Sequence, residues 1–476
     1  MREITKFYIN GGWVNPMGNR TMDVINPANE EPSGQVALGD GEDVNRAVAA
    51  AKAAFESFST TSQKDRLELL QAIIAAYQKR MNDLAEAMTL EMGVPKWLSS
   101  TAQAGSALGH FAEAAKIMET FEFERQQGNY TLRREPIGVC GLITPWNWPV
   151  NQIACKLAPA LAVGCTSVWK PSEMSPYSAQ VFMEVLHEAG VPAGVVNLVH
   201  GDGPSVGAAI SAHPDIDMVS FTGSTRAGIA VAEAAAPTIK RVAQELGGKS
   251  ANIILDDLQG EDFAKAVSGG MQSMCINSGQ SCNAPSRMLV PASRMDEAAG
   301  IAAAVANGVE VADPNADGMV MGPVISGNQW NKIQGLMEIA IKEGARVAAG
   351  GPGRPEGLNR GWFVRPTVFA DVTNDMTIAR EEVFGPVLVM IGYDDEADAV
   401  NIANDTPYGL AAYVSGANPD RVADVAAKMR AGQVVLNGAG LDMSAPFGGY
   451  KQSGNGREWG AHGFEEYLET KAVVGA

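Results

Sequence analysis

Basic clusters, long apolar runs and paired cysteines are all missing from this 476-residue chain. Each absence removes a class of function. No run of Lys or Arg is longer than a pair and the formal net charge is −18, so the chain lacks the positive face that a nucleic-acid partner requires. No apolar stretch approaches the roughly 18 residues needed to span a bilayer, and no membrane partner is expected. Five cysteines, an odd number without paired spacing, argue against a disulfide framework and for a reducing compartment. The polar opening Met1-Arg2-Glu3 carries no signal-peptide pattern, which makes the cytoplasm the expected location. Internal repeats and low-complexity tracts are absent too, and the length suffices for two or three domains around a large core.

What the chain does have is alternation of strand and helix. Asn10-Gly11 in the first strand pattern, from Phe7 to Val14, is a hairpin signal. From Glu42 to about Gln127 apolar residues recur at helical spacing, as in Val44, Ala47, Val48, Ala51 and Phe55, which predicts amphipathic helices packed on something larger. Alternation on either side of Gly128-Asn129 predicts a second hairpin. Between Ile137 and Leu246 continuous apolar strands alternate with helices, the pattern of a doubly wound parallel sheet that takes a dinucleotide at its carboxyl edge. A second α/β unit begins near Ser250, with further strands at Met288, Val387 and Gln433.

Cys282 stands out within Ser278-Gly279-Gln280-Ser281-Cys282-Asn283. Polar, helix-breaking neighbours present its thiol on a turn with no apolar shield, which fits a nucleophile and equally fits an inert loop cysteine. Cys140, Cys155, Cys165 and Cys275 sit in apolar patterns and read as packing residues. Glu245, beside Val242, Ala243 and Leu246, has surroundings that raise a carboxyl pKa and suit a general base, although an ion pair with Lys249 would also explain it. Asn147, held in Pro145-Trp146-Asn147-Trp148-Pro149, is either a turn former or an amide aimed at a fixed point. In Phe221-Thr222-Gly223-Ser224 a buried strand ends in glycine and a helix opens on serine, so free N–H groups could meet a pyrophosphate; a simple N-cap is the plainer reading. Gly201 to Gly207 imitates a glycine fingerprint with its third glycine misplaced. Asp313 to Gly318 imitates a calcium loop whose twelfth position is Val324, and no metal is expected.

The Cys282 stretch, the Trp-Asn-Trp pentapeptide, Glu245-Leu-Gly-Gly-Lys249, Phe221-Thr-Gly-Ser224 and Glu381-Glu-Val-Phe-Gly-Pro386 together resemble the aldehyde dehydrogenase superfamily, in about its order and spacing over nearly the whole chain. The resemblance implies an α/β fold with a Rossmann-like, doubly wound cofactor domain over 1–117 and 137–247 and a second α/β catalytic domain over 248–452. A small β extension over 118–136 and 453–476 would join subunits into a homodimer or homotetramer. It implies that Cys282 attacks an aldehyde, that Asn147 and the Cys282 N–H hold the oxyanion, and that Glu245 activates water. Lys156 and Glu458 would relay protons, though a structural salt bridge accounts for them as well. NAD, with NADP possible, would be held by Ile143, Trp146, Lys170, Glu173, Gly203, Phe221, Thr222, Gly223, Ser224, Leu246, Glu382 and Phe384. Glu173 favours a 2′-hydroxyl over a phosphate. A CoA-acylating relative generally lacks the acid at Glu245, and a catalytically silent member of the fold is the other alternative. Tryptophan is frequent in relatives at Cys155 and an aromatic at Leu441, and no arginine occupies 150–155 or 438–447, so an uncharged aliphatic or aromatic aldehyde is expected.

Overall fold

The computed structural model describes residues 2–475. Its largest sheet has eight strands in the order Gly454–Asn455, Arg241–Glu245, Met218–Thr222, Val139–Ile143, Thr166–Lys170, Val196–Leu198, Phe7–Ile9 and Gly12–Val14. The five strands from Arg241–Glu245 to Val196–Leu198 pair in parallel, and the outer ones are antiparallel. From Val139–Ile143 the chain first winds outward through Thr166–Lys170 and Val196–Leu198, then crosses back to Met218–Thr222. The winding direction therefore reverses between the carboxyl ends at Ile143 and Thr222, where such sheets open a crevice for ligands. The Pro149–Val163 helix is buried along nearly its entire length, because its Ala- and Leu-rich surface has the sheet on one side and the Ala104–Met118 and Gln63–Met92 helices on the other.

A second sheet of seven strands runs Arg346–Ala349, Thr367–Ala370, Val387–Tyr393, Arg287–Pro291, Ala251–Ile254, Ala411–Ser415 and Gln433–Leu436. All its pairings are parallel except the Arg346–Ala349 edge. Only five residues separate Glu245, the end of a strand of the first sheet, from Ala251, the start of a strand of the second. The Glu124–Gln127 and Tyr130–Pro136 hairpin joins Leu468–Val474 in a separate three-stranded antiparallel sheet. Gly454–Asn455 pairs instead with Arg241–Glu245, so the segment after 452 returns to the first sheet before reaching the hairpin.

Both hairpins form where turn chemistry puts them. Asn10 and Gly11 each take positive φ (53° and 80°), the two-residue turn that strand twist favours, whereas at Gly128-Asn129 only the glycine does (61°). The strands Thr21–Asn26 and Glu31–Ala37, which pair with each other while Arg2–Ile4 pairs with the second, are not anticipated by the sequence reading, which passes directly to helices. Their apolar residues alternate too sparsely to signal a sheet. After Asp202 the chain makes a π-turn over Gly203–Gly207 before the short helix Ala208–Ala212. Asp202 caps that turn through the Ser205 N–H, which puts a carboxylate where a phosphate would otherwise sit. Asp313 accepts from the Asn315 N–H in a local turn. Among the described residues no helix is long and apolar enough to cross a membrane.

Candidate active site

Cys282 follows an unusual backbone. The Gly260–Cys275 helix ends, and Asn277, Ser278 and Gly279 then take three successive left-handed conformations (φ 52°, 55° and 72°). Each non-glycine residue in that region costs on the order of 1 kcal/mol or more, so the segment must be held from outside. Gln103 Nε2 donates to Asn277 Oδ1 (3.0 Å), and Asn277 Nδ2 donates to the Asn147 carbonyl (2.8 Å). Ser278 Oγ reaches the Gly322 carbonyl (2.8 Å), and Gln280 Oε1 accepts from the Ile325 N–H (2.9 Å). Asn147 Nδ2 donates to the Gln280 carbonyl (3.1 Å), and Trp148 Nε1 donates to Ser281 Oγ (2.9 Å). At Gly279 even a methyl group would strike the Gly385 carbonyl. The amide of Asn147 is thus fixed two residues before the cysteine.

The expectation of an unshielded thiol is not met. Cys282 is partly buried and packs beside Cys155, Leu410, Phe447 and Trp459, the last two stacked with ring centroids 4.7 Å apart. Polar neighbours in sequence determine where the chain turns; what lies above the turn comes from distant segments. Burial, followed by the carboxylates of Glu245, Glu382 and Glu458, pushes the Cys282 thiol well above its ordinary pKa. The thiol is therefore protonated near neutrality and needs a base to become nucleophilic.

Glu245 ends its strand with a buried carboxyl group, neither oxygen of which has a hydrogen-bond partner. Burial first, and the negative charge of Glu458 second, raise its pKa well above the carboxylate range. A side chain at Gly448 would begin 2.8 Å from Glu245 Oε1, so glycine there keeps the space beside the carboxyl group open. The alternative of an ion pair with Lys249 fails, because the buried Lys249 Nζ has no partner at all, and burial together with Arg287 pulls its pKa down to about 7. Lys156 is fully buried, ion-paired to Glu458, and donates to Ser220 Oγ (3.0 Å). The second oxygen of Glu458 accepts from Cys155 Sγ (3.2 Å). Burial works against the charge on Lys156, but Glu458 and the other neighbouring anions outweigh it and leave its pKa raised.

Next to Cys282 and Asn147 lies a cavity of about 220 Å³, lined also by Trp146, Thr222, Gly223, Ser224, Leu246, Glu382 and Phe384. Nine of the expected site residues thereby converge on one space. Trp146 meets Phe384 edge to face (5.5 Å, 87°), and Phe384 itself has φ 57°. Glu382 accepts from the Gly248 N–H (2.9 Å), and a Cβ at Gly247 would lie 2.6 Å from its carboxylate. Ser224 caps the Thr225–Ala235 helix through the Ala227 N–H, and Thr222 Oγ1 is buried without a partner. Phe221, Ile143 and Leu246 lie in the apolar layer beneath. Lys170 Nζ donates to the carbonyls of Pro171 (2.8 Å) and Gly201 (2.7 Å) and to Glu173 (3.3 Å), which uses all three of its N–H groups on the protein and leaves Glu173 partly exposed. Gly203 is exposed in the π-turn that follows Gly201.

Sequence reasoning misses Gln329 and Lys332, which line the same cavity from the first turns of the Gly327–Lys342 helix. Gln329 Nε2 donates to the carbonyls of Val383 (3.0 Å) and Phe384 (2.8 Å) and holds the positive-φ segment. Nothing local marks either residue, since both sit in an ordinary amphipathic helix.

The family model described as "Aldehyde dehydrogenase family" matches residues 13–473. A 3-succinoylsemialdehyde-pyridine dehydrogenase from a Pseudomonas species is 54% identical over 476 residues, spanning 100% of this chain and 99% of that protein. Among solved structures, a mutant aldehyde dehydrogenase C from Pseudomonas syringae in complex with NAD+ and octanal superposes with a TM-score of 0.98 at 51% identity, covering 99% of this chain and 96% of the other. The NAD+ complex of an aldehyde dehydrogenase from Bacillus cereus gives 0.94 at 39% identity, with 99% and 96% covered.

Proposed function

Because the chain belongs to the aldehyde dehydrogenase family, we propose that it oxidises an aldehyde to the carboxylic acid with NAD+, through a covalent bond to Cys282. The observation that carries this reading is the joining of a rigidly held Cys282–Asn147 pair to a buried, partnerless Glu245. Glu245 takes the thiol proton, and the sulfur attacks the carbonyl carbon as the π pair moves to oxygen. Asn147 Nδ2 and the Cys282 N–H face that oxyanion, a kind of donor whose removal typically costs about 3 kcal/mol. NAD+, when bound, supplies the acceptor for the hydride that leaves the aldehyde carbon. Once that first proton has been passed on, Glu245 takes a proton from water, the hydroxide adds to the thioester, and the C–S bond breaks with its electron pair left on sulfur as the acid is released. The Lys156–Glu458 pair, buried beside Glu245, leads the proton away.

The cavity fits the cofactor. Unpaired Thr222 Oγ1, the glycine at 223 and the free N–H groups of the Thr225–Ala235 helix suit its phosphates, and Glu382 suits ribose hydroxyls. Trp146, Phe384 and Leu246 offer apolar walls to a ring. Glu173, oriented by Lys170, favours NAD+ over NADP+ by repelling a 2′-phosphate. The relative named for a pyridine semialdehyde and the neighbour crystallised with octanal support an uncharged tail, in keeping with the absence of arginine from 150–155 and 438–447. The hairpin and the Leu468–Val474 strand are the proposed means of homodimer or homotetramer formation. The test is NADH formation from a panel of aldehydes, with NAD+ and NADP+ in parallel and without CoA. No NADH from any aldehyde overturns oxidation, and turnover only with CoA overturns hydrolysis.

A further inference from the structure

Trp148, Asn151 and Cys155 are spaced three and four residues apart and form one stripe along the start of the Pro149–Val163 helix. Both ends of the stripe are tied to the reacting centre. Trp148 bonds Ser281, next to Cys282, while Cys155 bonds Glu458 and belongs to the cluster that packs on Cys282. Asn151, between them, is paired through Oδ1 with Nε2 of the buried His110 (2.9 Å), whose ring lies 5.3 Å from that of Trp459. Burial lowers the His110 pKa, so its ring is neutral and gives its single N–H to Asn151. The pairing fixes which way the amide points. It leaves the Asn151 NH2 group, which keeps partial exposure, without a protein acceptor among the described residues, on the helix face it shares with Trp148 and Cys155. Met443, in the 438–446 loop, lines a small cavity with His110, Cys155 and Trp459 and lays its thioether against Gly109.

We propose that the Asn151 amide is a specificity-determining donor, positioned by His110, which selects aldehydes whose uncharged tail carries a hydrogen-bond acceptor. This rests on the aldehyde-oxidising reading above. An acceptor facing the free NH2 gains a bond that a hydrocarbon tail cannot make, and a hydrocarbon leaves that group desolvated and unpaired.

The experiment measures kcat/KM for matched pairs of phenyl- and pyridyl-terminated aldehydes of increasing linker length, isosteres that differ by one ring nitrogen, at a mildly alkaline pH where the pyridine is neutral. For at least one linker length the protein should prefer the pyridyl member by about tenfold, expressed mainly in KM. Asn151→Leu should bring that ratio to about one, His110→Leu should lower it, and His110→Gln, which restores an N–H toward Oδ1, should recover most of it. The ratio is internal to each variant, so a general loss of stability would not mimic the result. A ratio near one at every length, or a preference that survives Asn151→Leu, overturns the proposal while NADH from the phenyl members leaves aldehyde oxidation standing. Absence of NADH from every member, phenyl included, would overturn both.

Discussion

The two sides of the proposed centre are built on opposite principles. Around Cys282 the buried amides are interlocked: Gln103, Asn147, Asn277 and Gln280 bond one another or the backbone, with Gln103 Oε1 alone unpaired, and they hold three consecutive left-handed residues. Around Glu245 buried polar atoms are left alone, with both its oxygens and Oγ1 of Thr222, which pairs with it across the sheet, lacking partners. Burying an unpaired polar group costs about 1–3 kcal/mol, more if charged, so such a concentration is sustained only where something other than stability selects it. One side spends its hydrogen bonds on precision. The other keeps its groups free for water, substrate or cofactor.

The largest test of this contrast is Cys282→Ala, which should lower NADH formation by roughly 10⁴-fold or more while thermal stability stays close to that of the parent. Glu245→Gln removes the free base but keeps its shape, and kcat should fall by about 10²- to 10⁴-fold. The same variant sharpens the pH argument. Because the pKa values of Glu245 and Cys282 are both raised, the active, deprotonated forms accumulate only as pH rises, so kcat/KM should increase through neutrality into the alkaline range. Glu245→Gln should abolish the part of that rise due to the carboxyl group, and a profile that stays flat in the parent would contradict the assignment.

Asn277→Ala attacks the precise side. It breaks bonds to Gln103, Asn147 and Gln280, and should cost about 2 kcal/mol in denaturant unfolding and reduce kcat through a misplaced Cys282. An intact midpoint together with intact kcat would show the lattice to be dispensable. The smallest effect is expected at Lys249. Its folded pKa of about 7 lies below the ordinary 10.5, so the unfolded chain binds more protons between those values and the destabilisation due to Lys249 is greatest below pH 7 and fades as pH approaches 10.5. Lys249→Met should therefore raise the melting temperature by a few degrees at neutral pH, with the gain shrinking on the alkaline side.

Cys282, Asn147 and Glu245 are legible in the sequence because each lies in a short motif whose residues also dictate the local backbone: glycines that turn it and prolines that stiffen it. The parallel sheets are legible from apolar runs broken by helical patterns. What the chain conceals is contributed from a distance. The cover over Cys282 comes from Leu410, Phe447 and Trp459, and the cavity wall from Gln329 and Lys332, none of which is near its partners in sequence. That Lys249 stands unpaired beside an acidic motif is equally invisible, since a lysine four residues after a glutamate suggests attraction until the strand ends and the two side chains part.

Gly454 lies opposite Glu245 in the first sheet, and Glu458 supplies the counter-charge for Lys156. Both come from a segment made well over a hundred residues after Cys282. While a ribosome is still adding residues in the 440s, the cysteine has been made but the seat of Glu245 is unfinished. A nascent chain can thus carry Cys282 before the surroundings of Glu245 and Lys156 are complete, and these are in place only when the 454–458 segment folds back against the older strands.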